Sequence, residues 1–185
     1  MTLAATIPGY IVGTWTIDAT HSDVSFSVRH MMVSKVKGRF GSFSGSIVTA
    51  PNPADSTVTA EIDLSSIDTN NAQRDGHVRS ADFFEVEKYP SMTFTSTSLE
   101  GAGDDYLVRG DLTLKGITKN IALKVELNGI GPDAYGGTRA GFTVTTEISR
   151  KEFGVDIDMP MDGGGVVIGD KITITLEIEA VLNQA

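Results

Sequence analysis

Apolar residues recur at every second position through about eight long segments of this chain. Val24, Phe26 and Val28 alternate with Ser25, Ser27 and Arg29. Val58, Ala60, Ile62 and Leu64 alternate with Thr57, Thr59, Glu61 and Asp63. The same period runs through Tyr106, Val108, Leu112 and Leu114, through Ile121, Leu123, Val125 and Leu127, and through Ala140, Phe142, Val144 and Ile148. It returns in Ile172, Ile174, Leu176, Ile178 and Ala180. A period of two sends alternate side chains to opposite faces of a strand, leaving one face dry and the other wet. Parallel strands covered by helices would be continuously apolar instead, so the sheet is antiparallel. A long sheet of this kind hides its apolar face and its edges by closing on itself or by stacking.

Strands are predicted at about 14–18, 23–30, 36–49, 56–66, 91–99, 105–115, 119–130, 138–150 and 170–183. Turn-forming residues separate them: PNPAD at 51–55, GAGDD at 101–105, KGIT at 115–118 and GPDAYGG at 131–137. Links this short favour up-and-down neighbours over crossing connections. The expected fold is therefore all-β, an extended eight-stranded antiparallel barrel. Within 36–49 the apolar phase slips between Phe40 and Phe43, beside Gly38, Gly41 and Gly45. That slip predicts a bulge that bends the strand around the barrel. Two stretches lack alternation. Residues 67–90 contain the one short helical segment, within 72–84, and 151–169 form a loop ending in a glycine run. Loops of this length are often lids or binding loops.

The 185 residues suit a single barrel domain, with 1–13 as an N-terminal lead-in. A formal net charge of −9 argues against nucleic acid. Overall charge alone also disfavours docking on an anionic membrane. No window approaches the roughly 20 apolar residues of a spanning helix, which predicts no stable membrane insertion. The chain has no Cys, so thiol nucleophiles, thiolate metal sites and disulfides are excluded. Residues 1–13 lack a positive start, and Pro8 and Gly9 interrupt their apolar run. They resemble no secretory signal, which predicts a cytoplasmic protein.

Polar chemistry is sparse. His21, His30 and His77 lie in separate segments without metal-ligand spacing, so no metal is expected. GSFSGS at 41–46 sits within a strand and not at a nucleophile elbow. Arg109, Gly110 and Asp111 form a mid-strand tripeptide that cannot project as a loop tip. The cluster Arg74, Asp75, His77, Arg79 and Asp82 is either an acid–base site or, by preference, a charged turn whose arginines pair with carboxylates. Phe83 and Phe84 follow it, placed to plug the barrel mouth or touch a ligand. His30 continues the inward phase of Val28 and would present one polar group to an apolar interior. An eight-stranded barrel is just wide enough to be filled by side chains or to hold one slender ligand.

Longer stretches carry a resemblance. HSDVSFSVRHMMVSKVKGRFGSFSG (21–45), SSIDTNNAQRDGHVRSADFFEVEKYPSMTFTSTS (65–98), RGDLTLKGITKNIALKV (109–125), ISRKEFGVD (148–156) and IGDKITITLEIEA (168–180) resemble the YceI-like family of polyisoprenoid-binding proteins. The match covers the chain from Trp15 onward. It implies a lipocalin-like barrel enclosing a long isoprenoid lipid, such as a polyprenyl chain or the tail of an isoprenoid quinone. The tail-contacting positions it implies are Val24, Phe26, Val28, Phe40, Phe43, Phe94, Leu112, Leu114, Phe142, Val144, Ile174 and Leu176. His30, Phe83 and Phe84 join them as candidate ligand contacts. Members of the family are often exported, whereas no such signal is visible here.

Together these features predict non-enzymatic sequestration or transport of such a lipid, with no other cofactor. Two alternatives stay open: an enzyme acting on the lipid through His30 or the 74–82 cluster, and a stress-related structural protein with a filled barrel. Closed strand edges and an acidic outer face predict no obligatory protein partner beyond at most a homodimer.

Overall fold

The computed structural model describes residues 7–31, 33–157 and 168–184. Among the described residues eleven strands form one continuous sheet: β1 (Gly13–Ile17), β2 (Asp23–His30), β3 (Ser34–Phe40), β4 (Phe43–Thr49), β5 (Thr57–Asp63), β6 (Ile67–Asp68), β7 (Ser91–Ala102), β8 (Asp105–Leu114), β9 (Ile117–Pro132), β10 (Thr138–Ser149) and β11 (Ile168–Leu182). All pairs are antiparallel. β11 closes the ring on both β1, where Trp15 faces Leu182, and β2, where Val28 faces Ile172.

The eleven segments make eight staves. β1 and β2 form one stave interrupted by a 3-10 turn at Ala19–His21, and β5 and β6 another, interrupted at Leu64–Ser66. β3 and β4 form the third, broken at Gly41 and Ser42 where the apolar phase slips from Phe40 to Phe43. The predicted bulge is thus a full interruption of the ladder, so the spans 36–49 and 56–66 each divide. Irregularities on the far side do the same work. The β7–β8 register shifts at Thr97, moving the inward set from Phe94 to Leu99, and the β9–β10 register shifts at Asn128, moving it from Leu127 to Ile130. Each break lets a long strand change direction while keeping apolar side chains inward.

Tight turns set the register. Leu114 pairs with Ile117 across Lys115 (φ 53°) and Gly116 (φ 76°). Two consecutive positive φ values define the turn whose twist matches a hairpin. The short helix α1 spans Ala72–Arg79, and Asn71 caps it by accepting from Arg74 N at 3.0 Å. Its mean hydropathy is low, so the interactions of its side chains hold it in place. No helix among the described residues is long and apolar enough to cross a membrane.

Candidate functional site

The barrel is hollow. Ile62, Ile121, Leu123, Ile172, Ile174 and Leu176 face inward yet are only half-buried, because their tips border empty space. A cavity of about 720 Å³ runs along the interior, within the roughly 300–1,000 Å³ typical of small-molecule sites. The filled barrel is overturned: medium-sized aliphatic side chains on eight staves do not meet across the bore. Every tail-contacting position implied by the resemblance lines the cavity: Val24, Phe26, Val28, Phe40, Phe43, Phe94, Leu112, Leu114, Phe142, Val144, Ile174 and Leu176. His30, Phe83 and Phe84 line it as well. Glycines shape the wall where rings lie flat against it. A Cβ at Gly38 would collide with the Phe26 ring, and one at Gly110 with the Phe94 ring. Gly110 is thus the centre of the mid-strand Arg109-Gly110-Asp111 tripeptide and serves packing.

One end is sealed. Trp15, Ala140 and Ala180 are buried there, packed by Ile47, Ile130, Phe142 and Leu182. Trp15 Nε1 donates to Thr49 Oγ1 at 3.1 Å, and that hydroxyl donates in turn to Ile11 O at 2.7 Å. The lead-in reaches across: Ile7 is buried against the cavity, and Tyr10 donates its hydroxyl to Ala50 O. Nothing in the alternation marked Ile7 or Tyr10, since neither lies in a strand.

The other end reaches solvent. Among the lining residues, Arg29, Asn71, Gln73 and His77 are exposed and gather there, beside His30. Residues 67–90 arch over this end. Phe84 packs toward Phe40 with ring centroids 6.3 Å apart, and Phe40 toward Phe26 at 5.5 Å. The charged cluster holds the arch in place in a manner that differs from the expected pairing of arginines with carboxylates. Arg74 donates from Nε to Thr69 Oγ1 at 2.8 Å and from Nη2 to Thr69 O at 2.7 Å. Arg79 donates to Ser65 O at 2.9 Å and Ile67 O at 3.1 Å. Asp75, buried, accepts from Thr69 N at 3.0 Å and from its hydroxyl. His77 pairs with Asp82 at 2.8 Å and stands edge-on to Phe83. The reason is geometric: where the ladder is interrupted around 64–71, Ser65 O, Ile67 O and Thr69 O are within reach of these guanidinium groups, which donate to them.

Arg150 was not foreseen. It is buried and lines the cavity, donating to Gly169 O, Val155 O, Ile157 O and Ile168 O at 2.8–3.1 Å. It thereby ties 150–157 to the start of β11. Residues 158–167, the central part of the 151–169 loop, lie outside the described residues.

Outside the barrel, Arg139 forms a clasp. Its Nη1 meets Asp18 at 2.6 Å and Glu179 at 3.1 Å, and its Nε meets Asp133 at 3.0 Å. The Arg139 guanidinium, and then His21, hold the Asp18 carboxyl well below the usual carboxylate range. Backbone N–H groups of Gly137 and Tyr135 lower the Asp133 carboxyl below its ordinary value. Asp18, His21 and Glu179 present ligand atoms within 4.8 Å of one another, the one such group among the described residues, and a cation already sits among them in the form of Arg139.

Comparison with known proteins gives one consistent family. The model of the YceI-like domain matches residues 15–180. Protein YceI of Escherichia coli is 43% identical over 143 residues, 77% of this chain and 75% of that one. The crystal structure of Burkholderia cenocepacia BcnA superposes with a TM-score of 0.75 at 25% identity, covering 88% of this chain and 98% of that one. A polyisoprenoid binding domain from Saccharophagus degradans, implicated in plant cell wall breakdown, shares the fold with a TM-score of 0.70 at 20% identity, over 94% of this chain and all of that one. Fold and sequence agree, and the chain belongs to the YceI-like family.

Proposed function

We propose that the protein holds a long-chain isoprenoid lipid in its barrel, a polyprenyl chain or an isoprenoid-quinone tail, and sequesters or carries it without chemical change. The observation that carries this is the apolar cavity along the barrel, open at the end rimmed by His30, Gln73 and His77. The ligand class named for the Saccharophagus degradans domain supports the same choice. A cavity lined this way stays dry when empty and accepts hydrocarbon. Each methylene moved from water into it contributes about 0.8 kcal/mol. That driving force is non-directional, so affinity follows buried chain length, and polar rim groups select among head groups. Val24, Phe26, Leu112, Leu114, Ile174 and Leu176 are the proposed tail contacts, with His30 at the head-group end.

Native mass spectrometry of protein purified without detergent tests the proposal, followed by extraction and identification of any bound lipid. A prenyl lipid is expected, returned chemically unchanged after incubation. Folded protein that takes up no prenyl lipid at micromolar concentration refutes it. Phe26→Arg should abolish uptake, because an unpaired charge in this space costs several kcal/mol.

A further inference from the structure

The hairpin of β2 and β3 stands out in charge, exposure and position. Between Asp23 and Asp55 the chain carries Arg29, Lys35, Lys37 and Arg39, four of its 15 cationic residues and none of its 24 acidic ones. All four are exposed. The register sets Arg29 directly across from Lys35. Like charges facing across a ladder destabilise a sheet, so the pair does not serve the fold. Among the described residues only Arg39 of the four has a carboxylate nearby, Asp68 at 4.0 Å.

At the tip the polarity inverts. Val33 is 87% exposed and Met31 44% exposed, where a hairpin ordinarily ends in polar residues. A single exposed Val means nothing. Here two apolar side chains crown a cationic ribbon, and that ribbon borders the open end of the cavity, which Arg29, His30 and Val36 line.

We propose that this hairpin docks the open end of the barrel on an anionic lipid surface. Met31 and Val33 enter the interfacial layer, and Arg29, Lys35 and Lys37 meet the lipid phosphates. The net charge of −9 does not oppose this. Charges separated by more than about 8–10 Å are largely screened at physiological salt, so the membrane meets the hairpin and not the whole molecule. Lipid cargo then passes between bilayer and barrel without crossing water. Docking goes beyond the proposed cargo and is measured without it.

Co-sedimentation uses vesicles of phosphatidylcholine, with or without roughly one quarter phosphatidylglycerol and with no prenyl lipid. The full chain is expected to sediment with the anionic vesicles, to stay in solution with the neutral ones, and to be released as salt rises from about 0.1 to about 0.5 M. Replacing Lys35 and Lys37 by Gln should weaken partitioning about fivefold for each charge removed. Val33→Asp should weaken it by a similar factor. Lys119→Gln with Lys124→Gln, exposed on β9, should leave it unchanged. Failure to sediment with anionic vesicles overturns the proposal, as does equal weakening by the β9 pair. Prenyl uptake from detergent, measured on the Lys35 and Lys37 variant, reports the barrel separately and should match the parent protein.

Discussion

The two ends of the barrel solve the same problem with opposite materials. At the sealed end, large side chains converge: Trp15 is 2% exposed, and its one polar atom finds Thr49. At the open end, the covering segment 67–90 is held by arginines and Asp75 bonded to backbone groups around 65–69. Packed apolar side chains around Trp15 exclude water and resist partial opening, since each one displaced leaves a void. The open end has packed rings as well, Phe84 on Phe40, but its covering segment is anchored by polar bonds. Hydrogen bonds to backbone can be exchanged one at a time for bonds to water, at a modest net cost of about 0.5–1.5 kcal/mol each, or about 1.5–3 where one partner is charged. On the proposed reading, the contrast makes one end a floor and the other a door.

The largest effect should come from placing a charge inside. Leu114→Arg introduces an unpaired guanidinium on a wall residue that is 4% exposed. It should abolish lipid uptake and lower stability by several kcal/mol. Uptake must be read on protein shown to be folded by near-ultraviolet circular dichroism.

Trp15→Ala attacks the floor. Truncating a buried Trp costs about 3–5 kcal/mol, seen as a lowered urea midpoint, and lipid should still enter from the other end. If uptake fell as sharply as with Leu114→Arg while the protein stayed folded, the ends would not be distinct.

Arg74→Ala attacks the door. It removes two bonds to Thr69 and should cost about 1–3 kcal/mol. Stopped-flow uptake of a fluorescent prenyl lipid should quicken, with equilibrium affinity for the tail changed only slightly. Unchanged kinetics would show that 67–90 does not gate.

The smallest effect belongs to the clasp outside both ends. Asp18 has a folded-state pKa depressed below its ordinary value of 3.8. Its contribution is therefore complete above that ordinary value and is lost as pH falls toward the folded one. Arg139→Gln should be less stable than the parent at neutral pH, and the gap should narrow progressively below about pH 4. Urea unfolding of both proteins across that range checks it. A gap that widened with acid would assign Arg139 another role.

The wall of the cavity was legible from the sequence because a period of two is local. Each of Val24, Phe26, Leu112, Leu114, Ile174 and Leu176 carries its facing in its neighbours. The break between Phe40 and Phe43 was legible for the same reason. The charged arch was not. An arginine that bonds a carbonyl leaves no complementary residue in the sequence, so Arg74 and Arg79 were expected to pair with acids. Arg150 escaped for that reason too. The clasp joins Arg139 to Asp18 across 121 residues, a proximity that exists only after β11 closes the ring. Hollowness itself depends on how far eight staves stand apart, which no single strand encodes.

That hollowness ties folding to loading. Residues such as Ile121, Leu123 and Ile174 leave part of their surface unburied along the bore, so the domain lacks a layer of its own core, which the proposed lipid guest would supply. A ligand that binds only the folded state adds about 2.7 kcal/mol when its free concentration stands at a hundred times Kd. The melting temperature is then an occupancy meter. Wall substitutions such as Ile174→Ala should cost more in loaded protein than in protein stripped of lipid, because the lost contacts are partly with the guest.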